Sequence, residues 1–522
     1  MLRPGFGPVP SVPRMDAAAA GAAAAGLALG ISEAIAALLP GAVSLVAAVG
    51  QVVIDRQPPG AKDFVVALFG TNDKLALEIV VVLVSLAAGA ALGVIAARRF
   101  AVAAAAFAAF GVLGFLAGLG DQLANPGIVA LQTAVSVGLS VQALSWLLAR
   151  AGGITASSRA AAGPATDPAR RSFIIRTAAV GLAALVAGIA GRSLIDRSRT
   201  APAEAGHLPP AADVVPPLAA GTDLAPSTPG LTPIVVPTGD FYRIDTALLI
   251  PSVDASTWNL RIHGLVDRET TLTWDELLAL PQFEQYVTIS CVSNEVGGNL
   301  VGNAKWLGVP LKDILEEAGP DPAADQVVSR SDDGFSAGTP TAVMLDGRDA
   351  MIAIGMNGEP LPIAHGFPAR LVVPGLYGYV SATKWVTDIE LTTFAAFDAY
   401  WVPRGWSQQA PIKTQSRIDK PRGGAHFAAG QTVIAGVAWA PHRGVSKVEV
   451  QVDDGPWQVA TLGMVASVDT WRLWSLTWNA TPGDHQIRVR ATDNAGETQT
   501  SQEEPPAPNG ATGWHTIRVT VT

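Results

Sequence analysis

The sequence has few of the residues that bind metals or haem directly. Its 522 residues include one cysteine, Cys291, and seven histidines. A single thiol cannot form an intramolecular disulfide, and it cannot supply a Cys-x-x-Cys-His haem attachment site. The histidines all lie after residue 200, outside the long apolar stretches of the chain, so those stretches cannot hold a haem between two histidines. We therefore expect no haem in this chain.

Charged residues are also scarce, and they are unevenly distributed. Asp, Glu, Lys and Arg make up 15% of the sequence, and the formal net charge is −9. The first 200 residues are mostly Ala, Val, Leu and Gly, whereas most of the Asp, Glu, Trp and Pro lie after residue 240. The negative charge argues against nucleic-acid binding. The asymmetry predicts a membrane part followed by a water-soluble part.

Several near-continuous apolar stretches have about the ~20 residues that a helix needs to cross a bilayer. They are Ala17–Leu39, Leu75–Ala97, Phe100–Gly120, Ile128–Leu148 and Phe173–Ala190. Without amphipathic periodicity, they predict an all-α transmembrane bundle of about five helices over residues 1–197. Val43–Ile54 is too short to span and is predicted to be re-entrant or interfacial. The only carboxylates in these stretches are Glu33 and Glu78, which favours an anchor over a transporter or sensor.

Basic residues predict the orientation of this bundle. If the helices alternate, one side carries Arg3, Arg14, Arg98, Arg99, Arg150, Arg159, Arg170 and Arg171, and the other carries Arg56, Lys62 and Lys74. The N-terminus is therefore expected in the cytoplasm, and the residues after Arg192 outside the cell membrane. Arg170-Arg171-Ser172-Phe173-Ile174 resembles a twin-arginine export signal, here internal. That route moves folded proteins, which suits a protein that receives a cofactor before export.

The rest of the chain is predicted to contain a linker and two globular domains. Residues 198–237 are rich in Pro, Ala, Thr and Gly, which predicts an extended linker. Residues 238–400 mix short strands with short helices, which is typical of an α+β domain. Residues 401–424 form a connecting segment. Residues 425–522 contain six alternating strands separated by turn pairs, which predicts an all-β immunoglobulin-like sandwich.

Cys291 occupies an informative place in the α+β domain. It ends a predicted strand, Val287–Cys291, and a polar, Gly-rich run follows it. Taken alone, it is either a buried, inert side chain or a thiolate ligand for a soft metal.

Short sequence blocks follow one another after residue 240. In order they are Phe241–Thr246, Ser290-Cys291-Val292, Gly302–Leu311, Met356–Pro362, His365–Arg370, Val373-Pro374-Gly375 and Lys384-Trp385. Together with the sandwich that follows, they resemble the molybdopterin-dependent sulfite oxidase family. The resemblance covers both soluble domains and implies an enzyme of oxygen-atom transfer.

The resemblance also implies a set of site residues. Cys291 would ligate the molybdenum of a one-pterin cofactor and be the catalytic residue. The residues implied in binding the rest of the cofactor are Tyr242, Arg243, Ser331, His365, Arg370, Thr383 and Lys384, with His365 and Arg370 as the phosphate-binding pair. A homodimer through the C-terminal domain and a separate electron-transfer partner, a cytochrome or a quinone-linked protein, are further expectations.

The sequence departs from the family at the substrate position. Animal and plant sulfite oxidases have arginines just after the cysteine, whereas this chain has Asn294-Glu295-Val296. Phe335 stands where a tyrosine is expected, although Lys305 and Arg330 remain as sources of positive charge. Substrate and reaction direction, sulfite oxidase-like or S-oxide reductase-like, therefore stay open. The alternative is a membrane-tethered binding or assembly protein without molybdenum chemistry, against which the intact Cys291, His365 and Arg370 argue.

Overall fold

The computed structural model describes residues 12–56, 73–121, 124–157, 168–200 and 207–522. The chain divides into a helical unit, Met1–Thr200 with Ala247–Ile250, and a soluble unit, Ala201–Thr246 with Pro251–Thr522. Three of the basic residues behind the predicted orientation, Arg3, Lys62 and Arg159, lie outside the described residues.

The described part of the helical unit contains α1 (Arg14–Leu38), α2 (Leu45–Arg56), α3 (Asp73–Ala96), α4 (Phe100–Gly118), α5 (Pro126–Ser157) and α6 (Pro168–Thr200). Helix α1 packs against α3, α5 and α6. By length and composition, α1, α3, α4, α5 and α6 are long and apolar enough to cross a membrane. Helix α6 begins before its apolar stretch, so Arg170 and Arg171 lie in its first turn.

The two carboxylates of the apolar stretches have partners inside the helical unit. The Ser44 hydroxyl donates to Glu33 Oε1 at 2.8 Å. Glu78 forms an ion pair with Arg192 of α6 at 2.8 Å. A carboxylate in an apolar bundle needs such a partner because its desolvation is costly.

Two sheets and three short helices form the α+β domain. The strands are β1 (Asn259–Gly264), β2 (Thr270–Thr273), β3 (Phe283–Ser290), β4 (Val301–Pro310), β5 (Gln326–Ser331), β6 (Ser336–Pro340), β7 (Met351–Met356), β8 (Glu359–Pro360), β9 (Arg370–Val372) and β10 (Val386–Thr392). The helices are α7 (Trp274–Ala279), α8 (Leu311–Ala318) and α9 (Thr341–Leu345). One sheet has the order β2-β1-β10-β5-β6, and the other has the order β3-β4-β7-β8 with β9 paired to β7.

Local sequence explains the start of α7, and tertiary pairing explains the start of α8. Thr273 caps α7 through a reciprocal capping box with Glu276, as its sequence predicts. The local sequence predicts a helix over Val309–Glu317, but helix α8 begins at Leu311. Val309 and Pro310 instead pair with β7 as the end of β4, so sheet pairing overrides the local helical pattern.

The C-terminal domain is a two-sheet β-sandwich. Its strands are β11 (Gln415–Lys420), β12 (His426–Phe427), β13 (Gly430–Trp439), β14 (Val445–Val452), β15 (Gln458–Val459), β16 (Thr461–Leu462), β17 (Arg472–Ala480), β18 (Gly483–Asp493) and β19 (His515–Val521). The sheets have the orders β11-β13-β17-β16 and β12-β19-β18-β14-β15. Strand β11 lies in the segment predicted to be a connection. Its polar sequence does not predict a strand, and it forms one by pairing with β13 at the edge of the sheet.

The predicted linker differs from the structure. Ser198–Thr200 continue α6, and residues 207–237 lie against the two globular domains instead of extending freely. The Val236 amide donates to Asn303 of β4 at 2.9 Å, and the Trp471 indole donates to the Ile234 carbonyl at 2.8 Å. Leu231, Ile234 and Val236 of this Pro-rich segment are buried, and a short 3-10 helix, Ala225–Ser227, lies within it.

Candidate functional site

Cys291 lies at the end of β3, where a loop folds back towards β4. Its amide donates to the Leu300 carbonyl at 2.9 Å, and its carbonyl accepts from the Asn294 amide at 3.1 Å. The side chain is buried, with 9% of the residue exposed. The loop therefore holds the thiol in a fixed, enclosed place.

The residues after Cys291, whose sequence does not fit a sulfite pocket, have two different roles. Asn294 is buried, and its side-chain oxygen accepts from the Leu300 amide at 2.8 Å, so it closes the loop. Glu295 is exposed and lines a cavity of about 470 Å³ together with Glu503 and Glu504 of the sandwich domain. Asn294 therefore has a structural role, whereas the Glu295 carboxylate gives the cavity negative charge.

Arg370 is a buried arginine that has no carboxylate partner among the described residues. It is 4% exposed, and its guanidinium donates to the carbonyls of His365 at 3.1 Å and Ala382 at 3.4 Å. Its Nε is buried and has no hydrogen-bond partner within the described ranges. The guanidinium carbon lies 5.0 Å from the centre of the Trp306 ring. Burial lowers the pKa of Arg370 to about 10, which still leaves it charged at neutral pH.

Lys384 and His365 lie beside this guanidinium. Lys384 Nζ is 2.7 Å from Asp245 Oδ2, which also accepts from Arg243 at 2.7 Å. Burial lowers the pKa of Lys384 to about 8 despite the Asp245 carboxylate. Burial, with the nearby charges of Arg370 and Lys384, lowers the pKa of His365 to about 4, so this imidazole is neutral at pH 7.

Pairing between two segments brings these residues together. The Leu371 amide of β9 donates to the Thr383 carbonyl at 2.8 Å, which aligns Arg370 with Lys384. Gly366, with a φ of +110°, lies between them, and a Cβ there would be 3.0 Å from Arg370 Cβ and 3.1 Å from Lys384 Cβ. Only glycine suits this position, because both the dihedral and the space exclude a side chain.

Thr383 and Ser331 border the same region. The Thr383 hydroxyl is buried and lies 2.7 Å from the Ser329 hydroxyl of β5. Ser331, the last residue of β5, is buried and accepts from the Asp333 amide at 3.4 Å. Burial raises the pKa of Asp333, and the Lys384 charge opposes that rise, which places this loop near the cationic cluster.

The charge of Cys291 contributes to the raised pKa values of two tyrosines, Tyr242 and Tyr377. Burial raises the pKa of Tyr242, the Cys291 thiolate adds to the rise, and Arg370 opposes it. Burial raises the pKa of Tyr377 to about 12, and the Cys291 thiolate again adds to the rise. The charges of both the thiol and the guanidinium thus act on Tyr242, and the charge of the thiol also acts on Tyr377.

Lys305 and Arg330, the two cations that the sequence suggests for binding an anionic substrate, both form ion pairs with carboxylates. Lys305 Nζ lies 2.5 Å from Glu284, and Arg330 forms ion pairs with Asp388, at 2.6 Å, and with Glu390. Phe335 packs on the Tyr400 ring at 5.7 Å between centroids. Both Lys305 and Arg330 therefore already have a carboxylate partner, and Phe335 carries no charge.

Two functional candidates escape the sequence analysis. Asp245 lies inside the block Phe241–Thr246, and its position between Arg243 and the distant Lys384 is visible only in the structure. Tyr377 is one of only five tyrosines in the chain, a scarcity that could have singled it out.

The residues fit an anionic cofactor that brings its own metal ligands. A buried guanidinium, a lysine and a neutral imidazole suit a phosphate, which arginine binds through its planar fork. The buried thiol suits one coordination position of a soft metal. Within the described part of the chain, no group of three or more His, Cys, Asp or Glu could hold a metal ion, so any metal here would need most of its ligands from elsewhere.

Comparison with known proteins agrees with this geometry. A family model described as "Oxidoreductase molybdopterin binding domain" matches residues 247–401, and a "Bacterial Ig domain" model matches residues 415–489. Mitochondrial sulfite oxidase of Homo sapiens is 28% identical over 289 residues, covering 46% of this chain and 53% of that protein. The uncharacterized oxidoreductase YuiH of Bacillus subtilis is 37% identical over 139 residues, covering 27% of this chain and 67% of YuiH.

A solved structure, the sulfane dehydrogenase SoxCD of Paracoccus pantotrophus, aligns with a TM-score of 0.49 and 23% identity, covering 55% of this chain and 81% of that one. The chain spans about half the length of the sulfite oxidases it matches, 53% for the human enzyme. The predicted molybdopterin domain followed by an immunoglobulin-like domain is confirmed. The chain belongs to the sulfite oxidase family of molybdopterin-dependent oxidoreductases.

Proposed function

We propose that this protein is a membrane-anchored molybdenum enzyme that transfers an oxygen atom, with two electrons, on the outer face of the membrane. The observation that carries this proposal is the buried Arg370 guanidinium, which has no carboxylate partner among the described residues. An isolated buried charge is costly, and a bound phosphate would remove that cost.

The chain's own residues bind and orient the cofactor in this proposal. Arg370, Lys384 and the neutral His365 hold the terminal phosphate of the pterin, and Cys291 ligates the metal through its thiolate. When bound, the molybdenum–pterin group supplies the two-electron oxygen-atom transfer. Tyr242 lies near both ends of the site, since the charges of Cys291 and Arg370 both act on its pKa.

The charge around the site favours an uncharged substrate. Glu295, Glu503 and Glu504 line the cavity beside the cysteine loop. Lys413, the cation near Glu504, is held by the Asn509 side chain at 2.9 Å and the Gly510 carbonyl at 2.5 Å. Because the carboxylates outnumber this lysine, they repel an anion such as sulfite more than a neutral S-oxide or N-oxide.

The helical unit serves as the anchor in this proposal. Five apolar helices of spanning length and the basic residues on one side support a cytoplasmic N-terminus and an external soluble unit. Arg170-Arg171 would direct export of the folded soluble unit. A separate cytochrome or quinone-linked protein exchanges electrons with it, and the sandwich domain mediates a homodimer.

The proposal is tested with full-length protein made in a host that synthesises the cofactor. Purified protein is assayed with sulfite, S-oxides and N-oxides and an artificial electron carrier, alongside Cys291→Ser and, as a control, Ser293→Ala. We expect molybdenum in the wild type, turnover of at least one neutral oxide, and no turnover by Cys291→Ser at unchanged thermal stability. Wild-type protein without molybdenum would instead support a tethered binding protein.

A further inference from the structure

Lys384 is a buried cation that pairs with a buried carboxylate. Its Nζ lies 2.7 Å from Oδ2 of Asp245, and the two side chains are 9% and 4% exposed. Burial opposes the charged form of a lysine, because the ammonium loses its hydration. The carboxylate opposes this effect, so the charge of Lys384 in the protein without cofactor depends on Asp245.

A second cation holds the Asp245 carboxylate in place. Arg243 Nε donates to the same Oδ2 at 2.7 Å, and its second terminal nitrogen donates to Oδ1 at 3.4 Å. The Arg243 side chain is 35% exposed, so this cation is partly in contact with solvent. Both residues belong to the block Phe241–Thr246, which thus supplies the carboxylate and also fixes its orientation.

The Lys384 ammonium keeps a donor for a further anion. An ammonium has three N–H donors. One is used by Asp245, and a second by the Ala364 carbonyl at 3.5 Å. Across the described ranges Nζ forms no third hydrogen bond, and the centre of the Trp385 ring lies 4.5 Å from it. One N–H of this lysine is therefore available to a phosphate.

The same lysine borders the Arg370 guanidinium. The two side chains approach each other at Gly366, where a Cβ would be 3.1 Å from Lys384 Cβ and 3.0 Å from Arg370 Cβ. The charges of Arg243 and Arg370 oppose the charged form of Lys384, whereas the Asp245 carboxylate favours it. Asp245 therefore allows two cations to lie side by side at the proposed phosphate position.

Two further titratable groups face this lysine. His365 is neutral at pH 7 because burial and the nearby cations lower its pKa to about 4. Asp333, in the loop after β5, has a pKa that burial raises and that the Lys384 charge lowers. Among the described carboxylates, Asp245 is the one that forms an ion pair with Lys384.

We infer that Asp245 is a positioning residue that keeps Lys384 charged and beside Arg370 before the cofactor phosphate binds. The inference rests on the proposed function, which places that phosphate here. Without Asp245, the buried ammonium loses its carboxylate and releases its proton at neutral pH. A phosphate would then bind only together with a proton. Asp245 thus extends the pH range in which a phosphate meets two charged side chains.

Calorimetric titration with inorganic phosphate tests this inference on the full-length protein in detergent, made in a host that does not synthesise the cofactor. Titrations in buffers of different ionisation enthalpy count the protons taken up with each phosphate, and the phosphate's own protons cancel between variants. With a Lys384 pKa of about 8, wild type should take up only about 0.1 proton through this residue at pH 7. We expect Asp245→Asn to take up at least about half a proton more, and its affinity to fall at a lower pH.

Asp388→Asn is the matched control, since it removes a carboxylate that pairs with Arg330 at 2.6 Å in the same domain, and it should behave as wild type. Asp245→Glu restores the carboxylate and should restore the wild-type proton uptake. Asp245→Asn combined with Lys384→Arg should show no extra uptake, because arginine stays charged without a partner.

Equal proton uptake in wild type and Asp245→Asn would overturn the inference, as would extra uptake in the double variant or a wild type that binds no phosphate. The proposed function fails separately, if wild-type protein from a cofactor-producing host lacks molybdenum.

Discussion

Arg370 differs from other enclosed arginines of the soluble unit in what surrounds its charge. Arg417 is similarly buried, yet it pairs with Asp419 at 2.6 Å. Arg370 contacts two backbone carbonyls and an aromatic face, and its Nε has no hydrogen-bond partner in the described part of the chain. A guanidinium left in this state destabilises the cofactor-free protein and stabilises the complex with a phosphate. The residue thus couples folding to cofactor binding.

Replacing this charge should have opposite effects on the two forms of the protein. In Arg370→Gln, we expect the loss of charge-assisted hydrogen bonds to weaken cofactor binding by about 10-fold or more. The cofactor-free variant should unfold at a higher temperature than the cofactor-free wild type, because an unpaired buried charge is gone. Pterin and molybdenum per chain, together with thermal unfolding, measure both effects.

Arg330→Gln is the control, since it breaks ion pairs with Asp388 and Glu390 but leaves the cationic cluster intact. Wild-type molybdenum content in Arg370→Gln would contradict the assignment of the phosphate site.

At the residue scale, the sequence predicts the roles of residues that lie in a recognisable block. It does not predict roles that depend on contacts between distant residues. Cys291, His365 and Arg370 are recognisable because their blocks occur together. The function of Asn294 is not, because closing a loop onto Leu300 depends on a return of the chain that no spacing reveals. Tyr377 escapes for the same reason, since its partners come from residues 410–413 and from the sandwich domain.

At the scale of elements, strands with clear alternation are predictable, and those defined by pairing are not. The alternating stretches of the sequence correspond closely to strands β13, β14, β17, β18 and β19, whose ends lie within two residues of the stretches' bounds: Thr432–Trp439, Val445–Val452, Trp471–Trp478, Gly483–Thr492 and Trp514–Val521. Strand β11 and the end of β4 depend on partners in β13 and β7, which a local pattern does not contain. The segment 207–237 packs for a similar reason, because its hydrogen-bond partners Asn303 and Trp471 are distant in sequence.

The sandwich domain also supports the cysteine loop through β11 and β19. Arg417 donates to the Gly298 carbonyl at 2.8 Å, and the His515 ring lies against Gly297, where a Cβ would be 2.2 Å from a ring carbon. His515 Nδ1 accepts from the Ile418 amide at 2.9 Å, so the ring is held in a neutral form. The position of the loop after Cys291 thus depends on a titratable side chain.

Acid should weaken this contact. Burial, with the Arg417 charge, lowers the pKa of His515 from 6.5 to about 4, so the folded protein resists its protonation. Its contribution is complete above pH 6.5 and is lost as pH falls towards 4, by on the order of 2 to 3 kcal/mol. His515→Asn keeps an acceptor at the δ position and cannot titrate, so this part of the pH dependence should disappear. Urea unfolding of the full chain in detergent, between pH 4 and 7, measures the effect.

Tryptophan fluorescence reports on the soluble unit in this experiment, because every tryptophan except Trp146 lies there. His485 provides the control with the opposite sign. A hydrogen bond to Asp453 raises the pKa of His485, so its contribution is present below pH 6.5 and is lost as pH rises. A pH dependence in His515→Asn that equals the wild type would show that His515 does not titrate as described.

At the scale of the whole molecule, composition alone separates an apolar helical unit from a soluble unit. The structure divides the chain at Thr200, close to the predicted end of the bundle at residue 197. Length and hydropathy suffice for this division because a bilayer-spanning helix leaves a simple pattern. The predicted side of the membrane depends on basic residues that include Arg3, Lys62 and Arg159, outside the described residues, so it stays a prediction.

The export hypothesis is tested by replacing Arg170-Arg171 with Lys-Lys, which keeps the charge that orients α6 but removes the paired arginines. We expect the soluble unit to become inaccessible to protease added outside intact cells, because a twin-arginine route would no longer accept the chain. Arg98-Arg99→Lys-Lys, in the turn between α3 and α4, is the matched control and should retain access. Unchanged access in the first variant would remove the export argument.

The central claim is that the Cys291 thiolate ligates molybdenum. Because Cys291 is the only cysteine of the chain, no other thiol can replace it. X-ray absorption at the molybdenum edge counts the sulfur atoms around the metal in purified wild-type protein and in Cys291→Ser. The account predicts one sulfur fewer in the variant, with the dithiolene sulfurs retained. An identical sulfur count in both proteins would contradict it.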